Sequence, residues 1–362
     1  MIIGSYSLFG DYVSVVKVLV ISVNSSHHLA IVKTSTPSDH LFIKYYLNFS
    51  FCFKFFNAFS TGKEQKEITN WAIRRIPIPL YIDKISLQRK FADIDASISK
   101  LEKYVFPLQK IIDDVLSAHN IKSKSEEDYY YDRLVLSISH VGKQKALRLG
   151  ATYNAFWHEH KGLLFEGTNE DISTLPFKRA ITIAPKVRIK KGLLNKPRVL
   201  IDFKQVEPLN GKIIDFNNIV VELGSDKIEF GDCHLLTNKL RPYLGYSVLN
   251  QSEYQLIGTT EFIPFNLRDV KEVSPKYIRY LLLSSEYLEK SKLLMSGKQH
   301  PRISEFDILN IKIPIPDPHI QQAIIKEISF LEDQMHNAIN KINSLKNRIE
   351  QIIWEELESS AI

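Results

Sequence analysis

Apolar residues recur at steps of four and three along two stretches of the chain, and both stretches predict long amphipathic helices. One series runs Leu87, Phe91, Ile94, Ile98, Leu101, Val105, Leu108, Ile112, Val115. The other runs Ile324, Ile328, Leu331, Met335, Ala338, Ile342, Leu345, Ile349, Ile352. This alternation is the heptad pattern of a coiled-coil seam, in which each helix hides its stripe against a partner. Pro107 falls inside the first series and removes a backbone donor there. That helix is therefore expected to run straight only to about Phe106.

The two series stand in register with a repeated tetrapeptide. Ile76-Pro77-Ile78-Pro79 returns 237 positions later as Ile313-Pro314-Ile315-Pro316, and the same shift lays Leu87 on Ile324. Upstream the match continues at a shift of 235: "FIKYYL" from Phe42 lies on "YIRYLL" from Tyr277, and Gly10 meets Gly245. "TGKEQKEITNWAI" from Thr61 lies on "SGKQHPRISEFDI" from Ser296. Asp39 and Ser274 are the expected N-caps of the first pair of helices, with Pro275 as a helix-starting proline. Thr69 and Ser304 are the expected caps of the second pair, with Asp307 placed for a capping box.

A duplication predicts four segments: part of a domain (1–80), a helix (81–118), a whole domain (119–316) and a second helix (317–358). About 105 residues, from Tyr129 to Asp232, have no counterpart in the first copy, which is expected to be N-terminally truncated. A polar linker from Ser117 to Asp132 leads into the complete copy. Strands are expected within 181–189, 199–203 and 213–223, and short helices near Tyr277 and Glu305. The expected fold class is α+β, with mixed α/β domains joined by two long helices that pack on each other as a coiled coil.

Composition supports real cores, since 44% of the 362 residues are hydrophobic, with 20 Phe and 16 Tyr. The formal charge of +6 is compatible with an anionic partner. Cys52 and Cys233 are too few for a disulfide framework or a cysteine zinc site, as in a reducing compartment. The start, "MIIGSYSLFGDYVSVVKVLVIS", lacks a basic leader region and is interrupted by Asp11 and Lys17, so it reads as strands. Lys44 and Lys54 interrupt the other greasy stretch, so no membrane span is expected and the chain reads as cytoplasmic.

Two proline-flanked copies, each followed by a heptad helix, resemble the specificity subunit of type I restriction–modification enzymes. The motifs that carry the resemblance are "SGKQHPRISEFDILNIKIPIPDPHIQQAIIKEI" from Ser296 and its weaker echo from Thr61. "FGDCHLLTNKLRPYLG" from Phe230 is also similar to that family. The resemblance implies two target-recognition domains, each reading half of a split sequence in double-stranded DNA, with the helices as an antiparallel spacer. It implies two methyltransferase (M) subunits and a restriction/motor (R) subunit as partners. S-adenosylmethionine, ATP and Mg would be used by those partners, and no cofactor would be bound by this chain. The span from Leu87 to Val115 makes a rod of roughly 42 Å, against about 34 Å per DNA turn, which suits a ruler between half-sites.

Residues 172–201 hold eight cations and no acid: Lys178, Arg179, Lys186, Arg188, Lys190, Lys191, Lys196 and Arg198. Such a stretch is a candidate for phosphate contact. In the glycine loops, Lys63 with Gln65, and Lys298, Gln299 and Arg302, precede a capped helix in both copies. Lys and Arg can grip phosphate or guanine there, and Gln can pair with adenine. Lys239 and Arg241 are further candidates on that face.

Catalytic motifs are missing. There is no Pro-Pro-aromatic loop and no Gly-x-Gly-x-x-Gly, so a methyltransferase centre is not expected. Glu64-Gln65-Lys66 lacks the carboxylate cluster of a metal nuclease. His158-Glu159-His160 lacks further nearby ligands for zinc, and Cys233-His234 lacks an identifiable partner. No metal site is expected. Two other readings stand beside the DNA-specificity one: the recognition tail of a larger fused methyltransferase, or a helical assembly factor without DNA affinity.

Overall fold

The computed structural model describes residues 37–48, 50–61, 73–78, 84–122, 172–250 and 256–359, with short pieces at 2–3, 13–14, 30–31, 67–68, 153, 157, 163 and 165–167. The chain divides into two units. One comprises Met1–Val105 with Gln334–Ile362, and the other Phe106–Asp333.

In the first unit, β1 (Ile2–Ile3) pairs antiparallel with both β2 (Val13–Ser14) and β3 (Ala30–Ile31). Two helices follow, α1 (Pro37–Leu47) and α2 (Ser50–Phe59). A short hairpin joins β4 (Ser60–Thr61) to β5 (Glu67–Ile68), and α3 spans Lys84–Leu101. Asp39 was the expected cap, but α1 begins two residues earlier, at Pro37, whose fixed φ suits a first helical position. Leu87, Phe91 and Ile98 of the first heptad series are buried in one cluster with Phe42, Phe56, Ile342, Ile349 and Ile353. Ile94, Leu101 and Leu345 pack at its margin.

The first heptad helix stops earlier than its apolar series. After Leu101 a 3-10 turn covers Glu102–Tyr104, Val105 is extended, and Pro107 caps the next helix, α4 (Leu108–Ala118). A proline disfavours helical backbone in the residue before it as well as lacking its own N–H. The break therefore spreads back several residues, not merely to Phe106.

The second unit begins with α4, followed by β6 (Ile121–Lys122) paired with β7 (Glu166–Gly167). Then come β8 (Ser173–Pro176), β9 (Ile181–Ile183), β10 (Val187–Ile189), β11 (Gly192–Ile201) and β12 (Ile219–Leu223). They are followed by β13 (Lys227–Glu229), β14 (Leu235–Asn238), β15 (Val248–Leu249), β16 (Ile257–Thr259) and β17 (Phe262–Leu267). Last are α5 (Pro275–Leu283), α6 (Ser285–Leu294), α7 (Glu305–Asn310), β18 (Lys312–Ile315) and α8 (Pro318–Ser359). The two larger sheets among the described residues have the orders β10-β13-β16-β11-β12 and β15-β14-β17-β9. The strand expected over 213–223 is confined to β12, and that expected over 199–203 ends at Ile201, where a 3-10 turn starts at Phe203. Ser274 caps α5 without a side-chain bond, while Ser304 accepts from the Asp307 amide.

The repeated tetrapeptide has a structural meaning. In the second copy its first three residues lie in β18, which runs antiparallel to β8 with Pro314 opposite Thr174, while Lys312 also bridges Leu163. Ile313 and its counterpart Ile76 are both buried. The carbonyl of Pro314 accepts from the Tyr277 hydroxyl at 3.1 Å, and that of Pro77 accepts from Tyr46 at 2.5 Å. The two tyrosines sit one helical turn apart in the alignment, reaching the same carbonyl from neighbouring positions.

The helices carry the repeat too. Leu87 and its counterpart Ile324 are fully buried, as are Phe91 and Ile328. Lys90 pairs with Glu356 at 3.3 Å in the first unit, and His119 with Glu327 at 3.1 Å in the second. Under the shift of 237, Lys90 falls on Glu327 and His119 on Glu356. One pair of repeat positions thus meets in each unit, with its ends exchanged.

Phe91→Ala leaves a cavity where the ring was, so it should destabilise the protein by about 3–5 kcal/mol. Exposed Tyr104→Ala should cost within about 0.5 kcal/mol. Urea denaturation checks both, and equal, small effects would contradict the burial.

Candidate nucleic-acid interface

The cations from the two glycine-loop and strand-end motifs of the second copy converge. Strand β14 runs out through Lys239 and Leu240, and the segment after α6 returns beside it. Leu240 bridges Arg302, the Arg241 amide donates to the Pro301 carbonyl at 2.9 Å, and the Ile303 amide donates to Lys239 at 3.0 Å. Ser296 and Arg302 exchange both backbone bonds, closing the loop around Gly297. Gly297 holds φ +100, a conformation open to glycine and strained for other residues.

Buried Asn238 secures the turn from below. Its amide donates to the carbonyls of Leu240 at 2.7 Å and Arg241 at 3.0 Å, and its oxygen accepts from the Tyr246 amide. Arg241 is thereby held at φ 47, in left-handed backbone unusual for a side-chain-bearing residue. Its guanidinium reaches the Gln299 carbonyl at 3.2 Å, which leaves the exposed Gln299 side chain outside that bond. Lys298 is exposed next to it.

Glu261 is the one acid joined to this loop pair by a hydrogen bond among the described residues. It accepts from Arg302 Nε at 2.9 Å and Nη2 at 2.8 Å, a bidentate fork. Arg302 Nη1 donates to the His300 carbonyl at 3.0 Å. The Arg302 hydrogen bonds hold the Glu261 carboxyl below its ordinary range, against partial burial, with smaller help from Lys239 and His300. Asn238 and Glu261 were missed from sequence. Asn238 directly precedes the Lys-Leu-Arg-Pro string, but nothing in one sequence marks it as a staple.

The basic stretch divides when it folds. Lys178 donates to Asn310 of α7 at 2.8 Å, and Lys186 pairs with Glu305 at the start of that helix, which begins just beyond Arg302. Arg188 pairs with Asp226 at 2.8 Å, where the Lys191 amide also donates, and Arg198 pairs with Glu229 at 3.1 Å. Arg179, Lys190, Lys191 and Lys196 are exposed. A run without acids in sequence is thus partly neutralised by acids from β13, α7 and the β12–β13 turn.

Other candidates resolve differently. Burial pushes the Cys233 thiol up to about 12, and His234 Nδ1 accepts from the Leu267 amide at 3.2 Å, so both serve the fold. Lys63, Gln65, Glu64, Thr69 and His158–His160 lie outside the described residues. Among the described residues no group of three possible ligands could hold a metal ion. No helix among them is long and apolar enough to cross a membrane.

The chain is similar in arrangement to two solved proteins. One is the S subunit of a type I restriction-modification system from M. genitalium: 15% identity, 88% of this chain and 72% of that one covered, TM-score 0.43. The other is the HsdS subunit from Thermoanaerobacter tengcongensis: 12% identity, 84% and 67% covered, TM-score 0.36. No curated protein matches by sequence. Residues 205–351 match the model of the type I restriction modification DNA specificity domain, a span that contains Asn238, Arg241, Glu261, Lys298 and Arg302. That span, and not the whole chain, is what is similar to the type I restriction modification DNA specificity domain.

Proposed function

We propose that this chain is the DNA-specificity subunit of a type I restriction–modification complex, and that its second copy meets DNA through Lys239, Arg241, Lys298 and Gln299. The observation that carries the reading is the convergence of those side chains on two loops cross-linked by backbone bonds. Lysine and arginine there suit phosphate or guanine, and the Gln299 amide suits adenine. The fork to Glu261 occupies most of the Arg302 donors, so its role is to brace the loops. Exposed Arg179, Lys190, Lys191 and Lys196 supply sequence-independent phosphate attraction, to which Lys178, Lys186, Arg188 and Arg198 add from their ion-paired or hydrogen-bonded positions.

The specificity family is generally non-catalytic, and in our reading the chemistry belongs to partners. Methyltransferase subunits would bring S-adenosylmethionine, and a motor–nuclease subunit would bring ATP and Mg. The first copy, with Lys63 and Gln65, would face the other half of a split target.

Gel-shift titration of the chain with a type I methyltransferase subunit tests the reading. Binding should weaken steeply with salt. Lys298→Ala should lower affinity on all sequences and reduce the salt slope by about one. Binding insensitive to salt, or a slope untouched by that change, would sink it.

The acid response of the loop pair follows from Glu261. A carboxyl lowered by folding stabilises the fold fully above its ordinary range, and that contribution is lost as pH falls through the lowered value. Thermal scans carried from above the ordinary carboxylate range down through it should therefore show a loss of stability in wild type that is reduced in Glu261→Gln. Parallel pH curves for the two proteins would contradict the bracing role.

A further inference from the structure

Beneath the proposed reading loops lies a turn, Glu207–Lys212, that touches both those loops and the spacer helices. On the loop side, the Leu209 amide donates to the Leu244 carbonyl at 3.0 Å, three residues past Arg241. A Cβ on Gly245 would come within 3.0 Å of Leu209 Cα, and one on Gly211 would collide with the Ser247 carbonyl. On the helix side, Gln109 of α4 donates to the Leu209 carbonyl at 2.5 Å, and Lys212 pairs with Glu332 of α8 at 3.5 Å. Arg279 of α5 donates to the Asn210 carbonyl. Leu209 holds φ 61, a left-handed conformation costly for a residue with a side chain, so its partners on both sides help the turn persist, while Gly211 takes φ 62 without strain.

Arg279 is the centre of this arrangement. It is 5% exposed and Glu332 7%, and the Tyr280 hydroxyl donates to Glu332 at 3.2 Å. Burial disfavours the Arg279 charge, and the Glu332 carboxylate offsets this. Hydrophobic residues of similar volume often serve a core at least as well as a buried ion pair, so stability alone gives little reason to keep one. The trio nevertheless recurs at the equivalent positions of the first copy. Lys44 pairs with Asp95 at 2.8 Å, and the Tyr45 hydroxyl donates to the same carboxylate.

We infer that Arg279, with Glu332, is a positioning residue for DNA reading: it fixes the Glu207–Lys212 turn, and through it the Arg241–Gly245 segment, to the spacer helices. The inference rests on the reading of those loops as the DNA-facing ones. Selectivity should then depend on Arg279 although it touches no DNA.

The test is selection from a pool of duplexes of randomised sequence, using the full chain with a type I methyltransferase subunit, well below each variant's melting temperature. Arg279→Met keeps the volume and removes the donors. It should retain total DNA affinity while its enrichment of the wild-type site falls about tenfold, the scale of one misread base pair. Arg279→Lys should recover part of that loss. A purely structural role would lower melting temperature and leave the selected site and its gap unchanged, and that result overturns the inference while the DNA reading stands. A wild-type protein that enriches no site defeats the DNA reading itself, and the inference with it. Should Arg279→Met fail to fold, Gln109→Leu carries the same test. It removes one anchor of the turn and should lower enrichment in the same direction, and unchanged selection by it would overturn the inference.

Discussion

The structure is organised by an apolar seam that no single helix could keep out of water. Leu87, Phe91 and Ile98 disappear into one cluster with Ile342, Ile349 and Ile353. Each such side chain contributes about 1.5–3 kcal/mol when fully buried. Helix α1 closes the same cluster from another side, with the Tyr45 ring edge-on to Phe91 at 5.3 Å. The seam also explains why the chain tolerates Pro107. The helix is interrupted from Leu101 to Pro107, yet the stripe resumes with buried Leu108, Ile112 and Val115.

An apolar seam is a weak specifier of how a recognition domain is mounted on it, because greasy surfaces slide at little cost. Directional polar contacts do that work at both copies. The tyrosine-to-proline carbonyl bonds and the cation–tyrosine–carboxylate trios connect the helix before the tetrapeptide to the strand and helix after it. In the second copy the same polar layer continues through Asn210 and Leu209 to the loop that carries Arg241. Fixing the direction of a few cations matters more here than adding affinity, because phosphate attraction is indifferent to sequence while base contact is not.

Much of this architecture could be read from residues alone because duplication doubles every signal. The heptad steps, the proline tetrapeptide and the Gly-Lys loops each appear twice at fixed offsets, and the helices that carry the heptad stripes follow from them. The break at Leu101 was harder to place, since propagation of a proline's effect backward depends on whether Glu102–Tyr104 can tighten into a 3-10 turn. The site was legible in its cations and illegible in its supports. Glu261, Asn238 and Arg279 are separated from Arg302 or Leu209 by long stretches of chain, and only folding brings them to the loops. For the same reason the acid-free run 172–201 looked more strongly basic than it is, because Asp226, Glu229 and Glu305 arrive from later elements.

Zero-length carbodiimide cross-linking of the full chain, read by mass spectrometry, probes the paired helices and their mounting most directly. Lys90 should link to Glu356 and Lys44 to Asp95, residues remote in sequence whose ammonium and carboxylate groups lie 3.3 and 2.8 Å apart. The local pair Lys110–Asp114 reports that the reagent has worked. Recovery of the two long-range links alongside the local one is the predicted outcome. A local link without either long-range one would mean that the two heptad runs do not lie together and that the first copy is not fastened to them.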